Sequence, residues 1–222
     1  NPTFTDRFGF FTNFTGNPDL KPETSRGWDA GIDQRLLDDR LSVSATWFEA
    51  RLEDEINGFV FDPDSGGFTS ANEDWRSDRR GLEVNGAWQI APALNLSVAY
   101  TWLDATEQNA AGDNLREIRR PRHVASGNLN WQFLGDRANL NINVDYNGAQ
   151  DDFFFPPVPP VQERVSLEAF TLVTLASSYQ FSRRLQVFAR VENALDENYE
   201  EVFGFASMGR TAYAGVRYRF AD

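Results

Sequence analysis

The sequence predicts an all-β chain, an antiparallel meander of about nine long strands that cross a membrane. Three observations predict it. The first is the period-two alternation of the final segment. Ala212, Ala214, Val216, Tyr218 and Phe220 fall on one face of a strand, and Thr211, Tyr213, Gly215, Arg217 and Arg219 on the other. The second is recurrence, because the same pattern returns upstream in runs of the roughly 9–11 residues that a tilted strand needs to cross a bilayer. The third is the connections. Short turns at residues 37–40, 91–93, 135–137 and 182–184 alternate with long segments at 57–75, 107–117, 150–168 and 196–209. Outer-membrane barrels have short turns at one end and long loops at the other.

The elements follow in order. The first strand covers about 25–36, with Trp28, Ala30 and Ile32 against Asp29, Gly31 and Asp33. The second starts at Leu41 and sets Val43, Ala45 and Trp47 against Ser42, Ser44 and Thr46. The third carries Leu82, Val84, Trp88 and Ile90, and the fourth Leu94, Leu96, Val98, Tyr100 and Trp102. The fifth sets Leu129, Trp131 and Phe133 against Asn128, Asn130 and Gln132. The sixth is the cleanest, with Leu140, Ile142, Val144 and Tyr146 against Asn139, Asn141, Asn143 and Asp145. A neutral polar row of this kind suits a wet or plugged lumen better than the exposed face of a soluble sandwich. The aliphatic row is therefore expected to face outward and the asparagines inward. The seventh strand, about 170–181, is apolar on both faces, and alternation alone does not choose its inward side. The eighth sets Leu185, Val187, Ala189 and Val191 against Gln186, Arg190 and Glu192, and the ninth is the terminal strand.

Composition removes other classes. The 222 residues hold no Cys, one His and 33 acidic against 21 basic side chains, for a net charge of −12. An acidic chain is a poor nucleic-acid binder. The mean hydropathy of −0.50 conceals barrel strands, in which every second residue is polar. No run approaches the ~20 apolar residues of a membrane helix. There is no signal peptide at Asn1-Pro2-Thr3, so a longer precursor is expected. Nine is odd and single-chain bacterial barrels are even-stranded, whereas plugged transporters have about 22 strands. Residues 1–222 are therefore expected to be one portion of a larger barrel. The first and last strands are each expected to lack a partner within it, and the stretch alone is not expected to transport.

Four segments then carry a family likeness. Gly16-Asn17-Pro18-Asp19-Leu20-Lys21-Pro22-Glu23 resembles the loop-to-strand signature of TonB-dependent outer-membrane receptors. Arg120-Pro121-Arg122-His123 resembles that family's entry into a strand. Val191-Glu192-Asn193-Ala194-Leu195-Asp196-Glu197-Asn198-Tyr199 resembles its segment before the last loop, with Ala194 and Leu195 where Leu and Phe are usual. Gly209-Arg210-Thr211 and Tyr218-Arg219-Phe220 resemble its final strand, except that Ala221-Asp222 follow the terminal aromatic. Within the family the likeness runs nearest to cobalamin and siderophore receptors. The resemblance implies residence in the outer membrane and uptake of a metal chelate or cobalamin. It implies a plug domain inside the barrel and a TonB partner engaging an N-terminal box, both outside this chain. A soluble carbohydrate-binding sandwich and a simple porin are the rival readings.

Site candidates lie in the long segments. Phe59 and Phe61, Trp75, Phe153, Phe154 and Phe155, and Phe203 and Phe205 are more aromatics than loops carry without a use. They either grip an amphipathic ligand or pack loop on loop. Asp151 and Asp152 are candidates for calcium, which takes several oxygen ligands, against a plain reading as solvated charge. No catalytic group, cofactor or other metal is expected. His123 has no nucleophile or orienting acid beside it in sequence, and one His without Cys makes a poor zinc set.

Overall fold

The computed structural model describes residues 1–9, 13–73, 76–109, 111–156 and 163–220. In chain order the elements are a short helix α1 (Phe4–Phe8), then β1 (Phe14–Thr15), β2 (Thr24–Leu36), β3 (Leu41–Glu53), β4 (Ile56–Asp62), β5 (Gly67–Asn72), β6 (Ser77–Ala91) and β7 (Leu94–Gln108). There follow β8 (Asn114–Arg116), β9 (His123–Phe133), β10 (Ala138–Asn147), β11 (Gln150–Phe154), β12 (Glu163–Leu167), β13 (Phe170–Gln180), β14 (Leu185–Glu192) and β15 (Thr211–Tyr218).

The main antiparallel sheet runs in the order β15-β14-β13-β10-β9-β7-β6-β3-β2, with β8 paired to β7 outside that path. Each strand of the path pairs with its neighbour among the long strands in sequence, as the alternation predicts, and the two ends of the path are β2 and β15. A face-packed sandwich is not what the chain forms. Two of the short turns are built from left-handed residues. Leu37, Asp38 and Asp39 have φ of 57°, 55° and 64°, and Leu134, Gly135 and Asp136 repeat the run at 56°, 63° and 63°. Asp and Gly tolerate this region best.

The long segments differ from the expectation of plain loops, because three of them carry strands of their own. β4 and β5 form a hairpin in 57–75, β11 and β12 form one in 150–168, and β8 folds back on β7 in 107–117. Among the described residues the antiparallel rule also has one exception, a two-residue parallel contact of β1 with β5 through Phe14↔Phe68 and Thr15↔Thr69. Contacts divide the chain into two compact units. One is Asn1–Asp29, Phe48–Arg80 and Asp104–Glu117, and the other is Ala30–Trp47, Gly81–Leu103 and residues from Ile118 on.

Register among β7, β9, β10, β13, β14 and β15 sorts the paired side chains of these strands onto two faces, since directly opposed residues project to the same side. Leu96, Leu129, Ile142, Leu175 and Val191 form one continuous row across β7, β9, β10, β13 and β14. On the other face Ser97, Asn128, Asn143 and Thr174 are opposed. The register thus resolves β13, whose alternation was ambiguous. Thr174, Ala176 and Ser178 lie with the asparagines, and Val173, Leu175 and Tyr179 with the aliphatic row. The asparagines satisfy one another. Asn128 and Asn141 exchange side-chain hydrogen bonds of 3.1 and 3.0 Å, and Asn130 and Asn139 exchange bonds of 3.4 and 3.2 Å.

Aromatics mark both ends of the apolar face. Near the long loops Trp47 and Trp102 stack at 5.8 Å, and the Tyr100 hydroxyl hydrogen-bonds His123 Nδ1 at 2.8 Å. Near the short turns the pairs are Trp131–Phe133 at 4.6 Å, Tyr179–Phe181 at 4.7 Å and Tyr218–Phe220 at 5.0 Å. Amphipathic rings at the two interfaces and aliphatics between them are what a lipid-facing band requires. One aromatic, Phe188, sits on the polar face instead. It opposes Gly215, where a Cβ would lie 2.4 Å from Phe188 Cζ, so the glycine makes room for the ring.

The face assignment of β13 has a direct test. Leu175→Arg should lower folding stability by about 2–4 kcal/mol, the cost of an arginine facing mid-bilayer lipid. Thr174→Arg should cost less than about 1 kcal/mol. Denaturant unfolding of the lipid-reconstituted protein measures both.

Candidate functional site

The sequence candidates fall into two aromatic groups, one in each unit. In the first unit the β4–β5 hairpin presents Phe59, Phe61 and Phe68. The Phe59 and Phe68 rings lie 6.0 Å apart, Phe61 and Phe68 meet edge-on at 6.0 Å, and Phe14 joins at 5.6 Å from Phe59. Phe59 is 71% and Phe61 58% exposed, so the rings touch one another and still offer most of their surface to solvent. The sequence did not single out Phe14 or include Phe68 in the binding set, and their ring contacts place both with it. Trp75 lies outside the described residues.

The hairpin is held by the segment that carries the first family likeness. The Asn17 side-chain amide donates to Ser70 O at 3.0 Å, and Lys21 N donates to Asn72 Oδ1 at 2.8 Å. Asn72 Nδ2 returns bonds to Lys21 O and Asp54 O at 3.0 and 2.7 Å. Ile56 N donates to Glu23 Oε1 at 3.0 Å. Leu20 is buried, and Arg7 Nη2 donates to its carbonyl at 3.0 Å. Gly16 has no room for a side chain, since a Cβ there would lie 2.3 Å from Phe8 N. Beneath these, Arg79 Nε bridges both carboxylate oxygens of Glu117 at 2.8 and 3.0 Å and its Nη2 reaches Glu55 at 3.5 Å, while the Ser77 hydroxyl donates to Glu55. A charged tie thus joins the start of β6, the β3–β4 turn and the segment after β8.

In the second unit the β11–β12 hairpin carries Phe153, Phe154 and Phe155. Phe153 meets Phe155 at 6.3 Å and lies under the Arg164 guanidinium at 5.9 Å, while Phe154 packs on Phe203 at 5.3 Å. Phe155 and Phe205 are 66% and 70% exposed, and Phe205 is brought to neither group.

Asp151 and Asp152, the calcium candidates, are engaged by protein groups. Asp151 Oδ2 accepts from Arg164 Nε at 3.0 Å. Asp152 is fully buried and accepts from Arg119 Nε at 2.8 Å, Phe153 N at 2.8 Å and Phe203 N at 2.8 Å. Gln150 Nε2 adds a bond of 3.0 Å to Glu201 O. Among the described residues no group of three or more acidic or histidine side chains could hold a metal ion. Asp152 ties the last loop to the hairpin, and Asp151 ties the two strands of the hairpin to each other. Burial pushes the Asp152 carboxyl up, but the Phe203 and Phe153 amides and Arg119 together hold it below the ordinary aspartate value.

The third likeness also proves to be a clamp. Buried Asn193 donates from Nδ2 to Glu197 O at 2.9 Å and Met208 O at 3.3 Å, and accepts from Glu197 N at 2.8 Å. Tyr199 packs on Phe170 at 4.5 Å.

Comparison with known proteins bears on this architecture. A family model described as TonB dependent receptor-like, beta-barrel, matches residues 1–194. The chain belongs to the TonB-dependent receptor barrel family. Barrels of this family reside in the outer membrane of Gram-negative bacteria. The vitamin B12 transporter BtuB of Vibrio vulnificus is 27% identical over 99% of this chain and 33% of its own length. That of Photobacterium profundum gives the same three figures. This TonB-dependent receptor chain thus spans about a third of the curated relatives it matches. Among solved structures, the pyoverdine outer membrane receptor FpvA of Pseudomonas aeruginosa PAO1 superposes with a TM-score of 0.75, at 19% identity over 94% of this chain and 31% of FpvA. The ferric-catecholate import receptor Fiu of E. coli K12 gives 0.71, at 21% identity over 95% and 30%.

The Asp152 anchor yields a prediction for the full-length receptor. Asp152→Ala removes a charge-assisted set of about 1.5–3 kcal/mol and should speed amide exchange at Phe203 by roughly 10–100-fold. Because the folded carboxyl is lowered, its contribution is complete above the ordinary aspartate range and is lost as pH falls through the lowered value. The gap in loop protection between wild type and variant should therefore be full at neutral pH and narrow below about pH 4.

Proposed function

We propose that residues 1–222 are the C-terminal portion of the barrel of an active-transport receptor. The full protein takes up a metal chelate or cobalamin, energised by TonB, with a plug domain filling the barrel and no enzymatic step. The family match over residues 1–194 carries this reading. The exposed aromatic groups on the β4–β5 and β11–β12 hairpins support it, because apolar rings on stiffened hairpins suit an amphipathic ligand with a rigid ring system. The named relatives, one set carrying vitamin B12 and the other ferric chelates, set the substrate classes to be tried. In the intact receptor β2 and β15 pair with strands contributed by the rest of the barrel, since an unpaired edge in lipid leaves backbone groups costing several kcal/mol each.

The test uses the full-length receptor with cyanocobalamin and with ferric siderophores of the hydroxamate and catecholate classes. Each aromatic that buries against a ligand contributes about 1.5–3 kcal/mol. The pair Phe59→Ser and Phe61→Ser should therefore weaken binding of the true ligand at least ten-fold. Unchanged affinity would remove the hairpin from the site. Failure of the energised receptor to accumulate any of these solutes would remove the transport reading.

A further inference from the structure

Alternation carries a charged groove onto the face where charge is least expected. Arg26 and Trp28 share a face of β2 with Ile32, and Arg51 shares a face of β3 with Val43 and Ala45. Asp78 and Arg80 share a face of β6 with Leu82 and Val84, and Asp104 shares a face of β7 with Leu96 and Val98. In each strand this is the lipid-facing row. These side chains converge, all within the first unit: Arg26, Trp28, Arg51, Asp78, Arg80 and Asp104 line one groove of about 630 Å³. Trp28 fixes its height, since tryptophan on a lipid-facing row marks the boundary between hydrocarbon and headgroups. The charged residues follow on the long-loop side of that boundary.

The guanidinium groups are pre-oriented. Asp78 accepts from Arg51 Nε at 3.0 Å and lies 3.3 Å from Arg76 Nε, and Asp104 Oδ2 accepts from Arg80 Nε and Nη2 at 3.1 and 2.9 Å. Arg51, Arg76 and Arg80 remain about half exposed, and a guanidinium carries five donors, so each keeps N–H groups to offer. Arg26 has no hydrogen-bond or ion-pair partner among the described residues. Glu49 and Glu53 border the same groove, which makes it a site of both signs.

We infer that this groove seats the phosphorylated headgroup of an outer-leaflet lipid together with the divalent cation that neutralises it. Planar forks with spare donors match phosphate oxygens. Carboxylates beside them supply hard oxygen ligands for a cation bridging protein and phosphate. The height of Trp28 favours a lipid over a protein partner, because a headgroup is what meets a lipid-facing row at that level. The inference is independent of which solute the receptor carries.

The experiment is lipid retention by the full-length receptor. Receptor in phosphatidylcholine nanodiscs doped with lipid A, a bisphosphorylated glycolipid, is extracted in mild detergent with magnesium, and bound lipid is counted by native mass spectrometry. Wild type should retain lipid A, chelation of magnesium should release it, and the triple variant Arg26→Gln, Arg51→Gln, Arg80→Gln should retain at least ten-fold less. Arg26→Gln alone breaks no internal contact and should lower retention about three-fold, roughly the loss of one exposed charge-assisted contact, which keeps the test valid if the triple variant misfolds. Equal retention by wild type and Arg26→Gln, or retention indifferent to chelation, would overturn the proposal. Displacement by millimolar inorganic phosphate would do so too, since it would make the groove a free-phosphate site.

Discussion

The rest of the structure depends on one constraint: a strand in a membrane must place every backbone amide and carbonyl in a ladder while its two faces meet different media. Pairing satisfies the first demand and period-two alternation the second. From this follow the long strands with short turns, the aliphatic row through Leu96, Leu129, Ile142 and Leu175, and the polar row opposite it. The same constraint explains where irregularity is concentrated. The separate hairpins lie in the long connections, and the parallel contact joins one of them to the segment before β2, where water is available to unpaired groups.

Much of the wall was legible in the residues because its signal is repeated contrast. In β10 Asn139, Asn141 and Asn143 alternate with Leu140, Ile142 and Val144, so both strand type and face can be read directly. β13 resisted for a physical reason. Ala176 on its polar face and Ser177 on its apolar face invert the contrast, and only register against Asn141 and Leu140 assigns them. The hairpins in the long segments were hidden differently. Phe59 and Phe61 read as contacts for a ligand or for another loop, although Asp64-Ser65-Gly66-Gly67 between alternating runs is a turn signal in its own right.

The clamps were the least legible part of the candidate site. Asp152 read as a calcium candidate or solvated charge, and Asn193 only as part of a family-like segment, because their roles rest on burial and on distant backbone partners, the Phe203 amide in one case and the Met208 carbonyl in the other. A sequence shows which residues can donate or accept, but the groups they reach are fixed by tertiary approach. The family-like segments gain a common meaning here. The Asn17 and Asn193 segments are both side-chain-to-backbone clamps at loop bases, and they allow the aromatic tips to be displayed on a stiff support.

The reciprocal amide pairs have a consequence for anything that shares the lumen. Asn128 with Asn141 and Asn130 with Asn139 already commit their strongest donors and acceptors to each other. A surface of that kind demands less from a neighbour and forfeits less when the neighbour departs, because each amide already has one donor and one acceptor satisfied within the wall. Mechanically it is a low-adhesion lining. A body drawn along these pairs breaks few strong hydrogen bonds to this part of the wall.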